Sequence, residues 1–246
     1  MKLFIYTALV VMCFCFGKCQ SQIQKVTVEA NPTAIYTYAK PSAGGTGKFY
    51  FGREIAQVMG AAGAAWLERS ERQQEENTAL AIDKMNLFDN EVVADVGAGS
   101  GYYTFKIAAK VPTGKVYAVE IQDEMIKLLQ DHKQKENTTN VIVVKGSDTS
   151  NNLPLNSIDL ALMVDVYHEL EYPHEILQSL FRSLKDSGKL LLIEYRGEDS
   201  ALAIKPLHKT TVAQLNKELG SNGFTLLHEG EFLPIQHFLL YKKEMQ

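Results

Sequence analysis

From residue 92 onwards, short apolar runs alternate with segments in which apolar residues recur at helical spacing. An apolar run of about four to eight residues between turn signals is typical of a buried strand, and recurrence at every third or fourth position is typical of a helix. Their alternation predicts an α/β fold class with a doubly wound, mostly parallel sheet. The predicted strands cover residues 92–94, 116–121, 141–148, 158–165, 189–195, 224–228 and 238–242.

Three helices are predicted between these strands. The first covers residues 103–109. The second has apolar residues at helical spacing over residues 176–184 and begins near Pro173, since proline is tolerated in a first helical turn. The third opens with the capping-box pair Thr211 and Gln214 and ends near residue 220.

The most informative segment joins the first strand to the first helix. Asp95 ends the strand, and Gly97, Gly99 and Gly101 follow at alternate positions. Glycines let the backbone approach a ligand closely, and an acid at the strand end favours a positively charged ligand over a phosphate. A dinucleotide fold would need its third glycine one place later, where this chain has Tyr102. The segment therefore predicts a site for a cationic nucleoside.

Three other predicted strands also end in polar residues. Glu120 ends the second strand, where its carboxylate can accept hydrogen bonds from both hydroxyls of a ribose. Ser147 and Asp148 end the third strand, and Asp165 ends the fourth. Ligands of such sheets bind beyond the carboxyl ends of the strands, so these residues are predicted to share one site. For Asp148, membership of a polar loop remains the alternative.

These motifs resemble those of the class I S-adenosylmethionine-dependent methyltransferases, over about residues 87–241. Residues 52–56 and 65–69 also resemble a block found in bacterial methyltransferase-like proteins with signal sequences. The resemblance implies a Rossmann-like seven-stranded sheet with an antiparallel C-terminal hairpin, N-terminal capping helices and S-adenosyl-L-methionine as cofactor. The cofactor-binding residues that it implies are Asp95, Gly97, Ala98, Gly99, Gly101, Glu120, Ile121, Ser147, Asp148 and Asp165.

Two residues after the fourth strand are predicted to be catalytic. Methyl transfer proceeds by in-line attack, so alignment in a desolvated pocket supplies most of the catalysis. If the acceptor must lose a proton, His168 is the predicted base, because an imidazole titrates near neutral pH. Tyr167 is predicted to position the acceptor, and Glu169 to orient the imidazole. A helix-capping or partly buried histidine without a chemical role is the alternative.

No metal site is predicted. His168 and Glu169 lie near His174, but the two histidines are six positions apart with Pro173 between them. The helical zinc motif places its histidines four positions apart instead. All three cysteines fall within the first 19 residues, so the rest of the chain has no thiolate ligand.

Length and charge favour a small-molecule substrate. The chain has 246 residues, 46% of them hydrophobic, which is ample for one full core with an extension. Its formal charge is −4 and no basic cluster is evident, which argues against a nucleic-acid substrate. Asp165 is also followed by Val-Tyr-His, unlike the Asp/Asn-Pro-Pro-aromatic motif of exocyclic-amine DNA methyltransferases.

Residues 1–19 have the layout of a secretory signal peptide. Lys2 precedes an apolar run over residues 3–16, and Gly17 and Cys19 satisfy the small-residue rule for cleavage. The run has 14 residues, too few for an ordinary membrane span. The pattern predicts an exported protein of the periplasm or cell envelope and disfavours the cytoplasm. Lipidation and membrane anchoring at Cys19 remain open, because Lys18 departs from the small residue expected there.

Three further segments follow this signal. Residues 20–48 are predicted to be a linker, with a short strand around residues 25–29, and residues 87–246 form the predicted methyltransferase domain. Between them, residues 49–86 are predicted to be a helical cap. Its first helix has an apolar face, and its second opens at a capping box and runs toward Met85. The residues that define these two helices are Ile55, Val58 and Met59 for the first and Ser70 and Gln73 for the second.

Three side chains of the predicted cap, those of Trp66, Arg69 and Arg72, are candidates for substrate contact. The pattern favours a structural role for each. A single Trp beside Leu67 is typical of packing, and alternating Glu and Arg are typical of a solvated face with local ion pairs.

The predicted function is methyl transfer from S-adenosylmethionine to a small or medium-sized acceptor. Two alternatives remain open. One is an exported, non-catalytic binding module that retains the fold, whose role would not need His168 or Tyr167. The other is an aminopropyltransferase-like enzyme that uses decarboxylated cofactor and binds the methylthio product in preference to S-adenosylhomocysteine.

Overall fold

The computed structural model describes residues 35–244. The predicted signal peptide, Cys19 and the strand predicted around residues 25–29 lie outside these residues. Within residues 35–244, no helix combines the length and the apolar character needed to cross a membrane.

An antiparallel three-stranded sheet precedes the core. It contains β1 (Tyr36–Tyr38), β2 (Gly45–Tyr50) and β3 (Arg53–Ala56), in that order. The linker prediction is therefore wrong for β1 and most of β2, and the helix predicted around Ile55 is a strand. These segments form strands because a two-residue hairpin turn at Phe51 and Gly52 pairs β2 with β3. Both turn residues have positive φ, at 49° and 94°. Such turns match the twist of the strands they join.

Three short helices follow, α1 (Ala64–Leu67), α2 (Arg72–Glu76) and α3 (Thr78–Lys84). The single helix predicted from Ser70 toward Met85 is thus broken at Asn77, whose φ of 54° lies in the left-handed region that asparagine tolerates. Ser70 makes no capping bond to α2. Gln73 instead serves the start of α3, where its Oε1 accepts from the Ala79 N–H at 3.0 Å.

The core of the fold is a seven-stranded sheet in the order β6-β5-β4-β7-β8-β10-β9. The strands are β4 (Val92–Val96), β5 (Lys115–Glu120), β6 (Val141–Lys145), β7 (Ile158–Val164), β8 (Leu184–Tyr195), β9 (Phe224–Gly230) and β10 (Gln236–Lys243). Neighbours from β6 to β8 are parallel, and β10 pairs antiparallel with both β8 and β9. The predicted α/β fold class and the antiparallel C-terminal hairpin are confirmed.

Helices cover both faces of this sheet. They are α4 (Tyr102–Lys110), α5 (Asp123–Lys135), α6 (Pro173–Ser183) and α7 (Val212–Gly220). One apolar cluster lies beneath α6 and α7, and a second lies beneath α3, α4 and α5. Pro173 is the first residue of α6, and the Thr211 hydroxyl accepts from the Gln214 N–H at 3.2 Å, so both predicted helix starts are confirmed.

The small sheet is tied to the core by a buried ion pair. Nε and Nη2 of Arg53 on β3 donate to the Glu218 carboxylate on α7, at 2.8 and 2.9 Å. Nη1 of the same guanidinium donates to the carbonyl of His168 at 3.1 Å. A buried charge needs such partners, because its desolvation is costly. One arginine therefore joins β3, α7 and the segment that follows β7.

We expect Arg53→Met to lower the free energy of unfolding by about 3–5 kcal/mol, because it leaves the Glu218 carboxylate buried without its counter-ion. The matched control is Lys127→Met. Lys127 pairs with Asp131 on α5, but these side chains are 73% and 57% exposed, so removing this pair should change little. Urea unfolding of both variants measures the difference, and equal, small losses would contradict the role given to Arg53.

Candidate functional site

A cavity of about 610 Å³ runs along the carboxyl ends of five adjacent strands. In sheet order, its lining includes Ser147 after β6, Ile121 after β5, Gly97 after β4, Asp165 after β7 and Tyr195 at the end of β8. We call the part over β6, β5 and β4 the glycine-loop half, and the part over β7 and β8 the histidine half. The predicted convergence of the strand-end residues is therefore observed.

The glycine turn forms the floor of the glycine-loop half. Gly97, Gly99 and Gly101 all have positive φ, at 74°, 55° and 92°. Gly97 has no room for a side chain, because a Cβ there would lie 2.6 Å from Cγ1 of Val166. Gly97, Ala98 and Gly99 line the cavity. Gly101 is not among the lining residues and instead precedes the first residue of α4.

Asp95 lies beneath this turn and is almost fully buried. Its Oδ2 accepts from the Thr104 hydroxyl at 2.6 Å. Burial raises the pKa of Asp95 to about 6; the Thr104 hydrogen bond and the positive charge of Arg72 oppose this rise, and Glu120 adds to it. A cation in the cavity would favour the ionised carboxylate.

Glu120 is held by backbone N–H groups. Its Oε2 accepts from Gly99 at 2.9 Å, and its Oε1 accepts from Ile121 and Gln122 at 2.7 and 3.0 Å. A carboxylate offers about four lone-pair positions, so about one remains free. That is enough for one ribose hydroxyl; the second predicted hydroxyl would have to share an oxygen or displace a backbone N–H.

The far end of the glycine-loop half is partly open. Ile121 is 39% exposed on the cavity wall, an apolar surface beside Glu120. Ser147 and Asp148 are exposed and also line the cavity. The Ser147 N–H donates to the Ser150 carbonyl at 2.8 Å, which closes a tight turn. Asp148 is thus both a loop residue and a lining residue.

Asp165 lies between the two halves in a strained conformation. Its φ is 53°, and such outliers persist only where the surroundings hold them. Its Oδ2 accepts from Nε2 of Gln236 at 2.7 Å, whereas its buried Oδ1 has no hydrogen-bond partner among the described residues. Burial raises the pKa of Asp165 well above its usual range, and the carboxylates of Glu76 and Glu194 add to this effect.

His168 is the centre of the histidine half and is only 1% exposed. Its Nδ1 lies 2.6 Å from Oε2 of Glu194, at the end of β8. Glu194, not Glu169, therefore orients the imidazole, which corrects the predicted role of Glu169. Burial lowers the pKa of His168, but the Glu194 carboxylate outweighs burial and raises it above its ordinary value.

Glu169 and His208 face the other side of this imidazole. Nε2 of His168 lies 3.0 Å from Nδ1 of His208 and 3.8 Å from Oε1 of Glu169. His174, which the sequence placed near them, is elsewhere, with its Nδ1 2.8 Å from Oδ1 of Asn222.

The prediction that Tyr167 positions the acceptor is corrected. Its side chain is fully buried and does not line the cavity. Its hydroxyl donates to Oε2 of Glu218 at 2.8 Å, and the Arg53 guanidinium lies over its ring. The turn after β7 directs consecutive side chains to opposite sides, so only His168 of the pair reaches the cavity.

The segment before the core crosses the cavity at Met59, and we call this crossing the strap. The Met59 N–H donates to Oε2 of Glu169, and the Met59 carbonyl accepts from Nε2 of Gln122, both at 3.1 Å. These two bonds join the histidine half to the glycine-loop half. Trp66 lines the cavity as well, and the Arg69 guanidinium stacks 3.7 Å from its ring centre.

Arg72 differs from the solvated residue that the sequence favoured. It lines the cavity but is only 3% exposed, and its Nε donates to the buried Glu76 carboxylate at 2.8 Å. Glu76 also accepts from Arg69 at 2.7 Å and from the Tyr195 hydroxyl at 3.1 Å. The predicted local ion pairs are present, but those to Glu76 are buried against the end of β8.

Two functional candidates, Glu194 and His208, were missed from the sequence. Glu194 could have been predicted, because it is an acid near the end of an apolar strand, as Glu120 is. His208 could not have been predicted, since it lies 40 positions from His168 in a loop whose sequence has no distinctive pattern. The charged lining is acidic: the carboxylates are Asp95, Glu120, Asp148, Asp165, Glu169 and Glu171, and the permanent cations are Arg72 and Lys205.

The strand order, the glycine turn and the acid that ends β5 define a class I methyltransferase fold of the S-adenosylmethionine-dependent type. The chain belongs to the methyltransferase-domain family, whose model matches residues 87–235. The resemblance seen in the sequence is therefore confirmed at the level of family and fold.

Two curated relatives are C-methyltransferases by name. A "Probable cobalt-precorrin-6B C(15)-methyltransferase (decarboxylating)" of Sulfurisphaera tokodaii is 28% identical over 127 residues, which make up 51% of this chain and 65% of that protein. The ubiquinone/menaquinone biosynthesis C-methyltransferase UbiE of Ectopseudomonas mendocina is 30% identical over 115 residues, 46% of this chain and 45% of that protein. The matches thus span less than two thirds of either relative.

Solved structures show the same fold. A SAM-dependent methyltransferase from Aquifex aeolicus has a TM-score of 0.70 and 24% identity, covering 75% of this chain and 98% of that one. The 4+2 cyclase SpnF has a TM-score of 0.60 and 16% identity, covering 69% of this chain and 80% of that one.

Proposed function

We propose that this protein transfers a methyl group from S-adenosyl-L-methionine to a small or medium-sized acceptor within the cavity. The observation that carries the proposal is the glycine-loop half, where a glycine turn that lines the cavity lies between the buried acids Asp95 and Glu120. S-adenosylmethionine supplies an electrophilic methyl group on a positively charged sulfonium.

The residues present suit that cofactor by charge and by shape. Six acidic side chains line the cavity against two permanently charged cations, and the acids outnumber the cations even if Asp165, whose pKa is raised well above its usual range, is left out, so a positively charged ligand is favoured and a phosphate is not. Arg72, one of those two cations, is already paired with Glu76. The turn at Gly97 and Gly99 presents backbone without side chains, so a ligand can lie directly on it.

Each wall of the glycine-loop half has a proposed role. Asp95 faces the positive charge of the amino-acid part, and Glu120 uses its remaining lone pair for a ribose hydroxyl. Ile121 offers an apolar surface to the adenine, and Ser147 and Asp148 offer polar contacts at its edge. Ala98 contributes backbone to the floor.

The histidine half is proposed to hold the acceptor. Asp165 marks the boundary where donor and acceptor meet, and His168 is the residue proposed to act on the acceptor. The strap at Met59 and the ring of Trp66 limit the access of water, which strengthens electrostatic interactions inside the cavity.

We expect S-adenosylmethionine and S-adenosylhomocysteine to bind with micromolar-range affinity, about −8 kcal/mol. Glu120→Gln should weaken both by an order of magnitude or more, because it removes the charge that faces the ribose. Glu124→Gln is the matched control, since this acid is exposed on α5 outside the cavity. Isothermal titration calorimetry measures all three proteins.

The same titration separates the alternatives. Binding of neither compound would refute cofactor use and favour a non-catalytic module. Preference for the methylthio product over S-adenosylhomocysteine would favour aminopropyl transfer. Equal affinities for the Glu120 and Glu124 variants would refute the site assignment.

The affinity for S-adenosylmethionine should rise with pH. A cation prefers ionised Asp95, and the pKa of this residue is raised to about 6, so the ionised fraction grows as pH passes that value. Affinity should increase about tenfold from pH 5 to pH 7 and then level off. Thr104→Val should move the rise to higher pH, because the lost hydrogen bond lowers the pKa of Asp95 in the wild type.

The control for this pH dependence is Asp95→Asn, which should bind more weakly and show no rise near pH 6. An unchanged pH profile in Asp95→Asn would assign the titration to another group. Calorimetry at five or six pH values, corrected for buffer ionisation, gives these profiles.

We also propose that the protein is exported, on the strength of the apolar run and the small residues within residues 1–19. Expressed in a bacterial host, the chain should appear in the envelope fraction with a mass that corresponds to cleavage near Cys19. Cys19→Ser distinguishes a free from a lipid-anchored form, because only the lipidated protein would lose its membrane association. A full-length chain confined to the cytosolic fraction would refute export.

A further inference from the structure

We propose that His168, His208 and Glu169 bind a divalent transition-metal cation in the histidine half of the cavity. All three residues line the cavity. The donor atoms are Nε2 of His168, Nδ1 of His208 and Oε1 of Glu169, which lie within 4.8 Å of one another. Two imidazoles and one carboxylate are a common ligand set for such ions in proteins.

The separations between the donor atoms fit a shared ion. Nδ1 of His208 lies 3.0 Å from Nε2 of His168 and 3.4 Å from Oε1 of Glu169. The third separation, between Nε2 of His168 and Oε1 of Glu169, is 3.8 Å. Ligands about 2.1 Å from one ion, at angles of about 90–110°, lie about 3.0–3.4 Å apart. Two separations meet this range, and the third needs a shift of a few tenths of an ångström in one carboxylate.

Each ligand is oriented by a neighbour. Glu194 accepts the proton of Nδ1 of His168 at 2.6 Å, which leaves the lone pair on Nε2 directed at the cluster. The Met59 N–H holds Oε2 of Glu169 at 3.1 Å, so Oε1 is free to face the histidines. A carboxylate behind a ligating histidine is the usual arrangement in metal sites.

The loop that carries His208 is anchored at its base. The Thr210 N–H donates to the Tyr195 carbonyl and the Gly197 N–H donates to the Thr210 carbonyl, both at 3.1 Å. These bonds return the loop to the end of β8, directly beside the turn that carries His168. Two sequence-distant histidines are thereby placed side by side, with ring centres 4.9 Å apart and an angle of 71° between the ring planes.

A hydrogen bond between the two histidines explains one of these contacts without an ion. Without an ion, Oε1 of Glu169 lies at ion-pairing distance from both rings, 3.8 Å from His168 and 3.4 Å from His208, so a bound cation would take the place of a proton held by this cluster. Nitrogen ligands favour first-row transition ions such as Zn²⁺ and Co²⁺ over Mg²⁺, which prefers oxygen.

The role of the ion rests on the proposed methyl transfer. An ion with three protein ligands keeps open positions that can bind and polarise an oxygen of the acceptor. His168 would then act on the acceptor through the ion, since its Nε2 lone pair would be occupied. The site therefore favours an acceptor that carries an oxygen near the methylated atom.

The test is titration of the metal-stripped full chain with Co²⁺ and Zn²⁺, followed by visible absorption and by calorimetry. Cys13, Cys15 and Cys19 are replaced by serine throughout, because their thiolates would bind both ions. We expect one ion per chain, with Mg²⁺ at least an order of magnitude weaker. His208→Gln and Glu169→Gln should each weaken Co²⁺ binding by about 100-fold or more, since each removes one ligand.

His228→Gln is the matched control, because it removes an exposed histidine on β9 that lies outside the cavity. It should bind Co²⁺ as the parent does. Retained binding in His208→Gln and Glu169→Gln, or no binding by the parent, would overturn the site. S-adenosylmethionine binding is measured in the same proteins without metal: its retention shows that the variants fold, and its loss in the parent would refute the proposed function while leaving the metal result intact.

Discussion

The burial of four carboxylates, two near the carboxyl ends of β5 and β8 and two on α2 and α7, is the constraint on which the rest of this structure depends. A buried carboxylate is tolerated only when donors surround it, because its desolvation costs several kcal/mol. Glu120 accepts hydrogen bonds from three backbone N–H groups, and the one from Gly99 fixes the turn after β4. Glu194 accepts hydrogen bonds from the N–H groups of Val166 and Tyr167 and bonds to Nδ1 of His168. Each acid therefore sets the course of the chain around it.

The other two acids attach the N-terminal segment to the core. Glu76 pairs with Arg69 and Arg72 and accepts from the hydroxyl of Tyr195, so α2 lies against the end of β8. Glu218 binds Arg53 and so anchors the small sheet. The cavity consequently has a wall and a strap that the matched methyltransferase domain, residues 87–235, does not include. A fold shared with a cyclase does not decide a reaction, whereas the side chains on that wall and in the histidine half can do so.

Most of the core was predictable, because its signals are local. A buried parallel strand is an apolar run whatever surrounds it, and the turn after β4 needs glycine for reasons of backbone geometry alone. Prediction failed where local signals were weak or misleading. The hairpin at Phe51 and Gly52 lacks the usual asparagine or aspartate, and the break at Asn77 interrupts a segment with good helical composition. Ser70 makes no capping bond to α2, and the arginines on either side of it, Arg69 and Arg72, both pair with buried Glu76.

The sequence by itself determined the fold class, the glycine turn and the position of Asp95 and Glu120 at strand ends. The periodicity of apolar side chains and the residue types that turns require depend only on residues close together in the chain. Tertiary structure alone decided which side chains share the histidine half. His208 contacts His168 because its loop returns to the end of β8. The Tyr167 side chain lies outside the cavity, where its hydroxyl donates to Glu218 and its ring packs against the Arg53 guanidinium. Such contacts join residues 40 or more positions apart, and no local pattern encodes them.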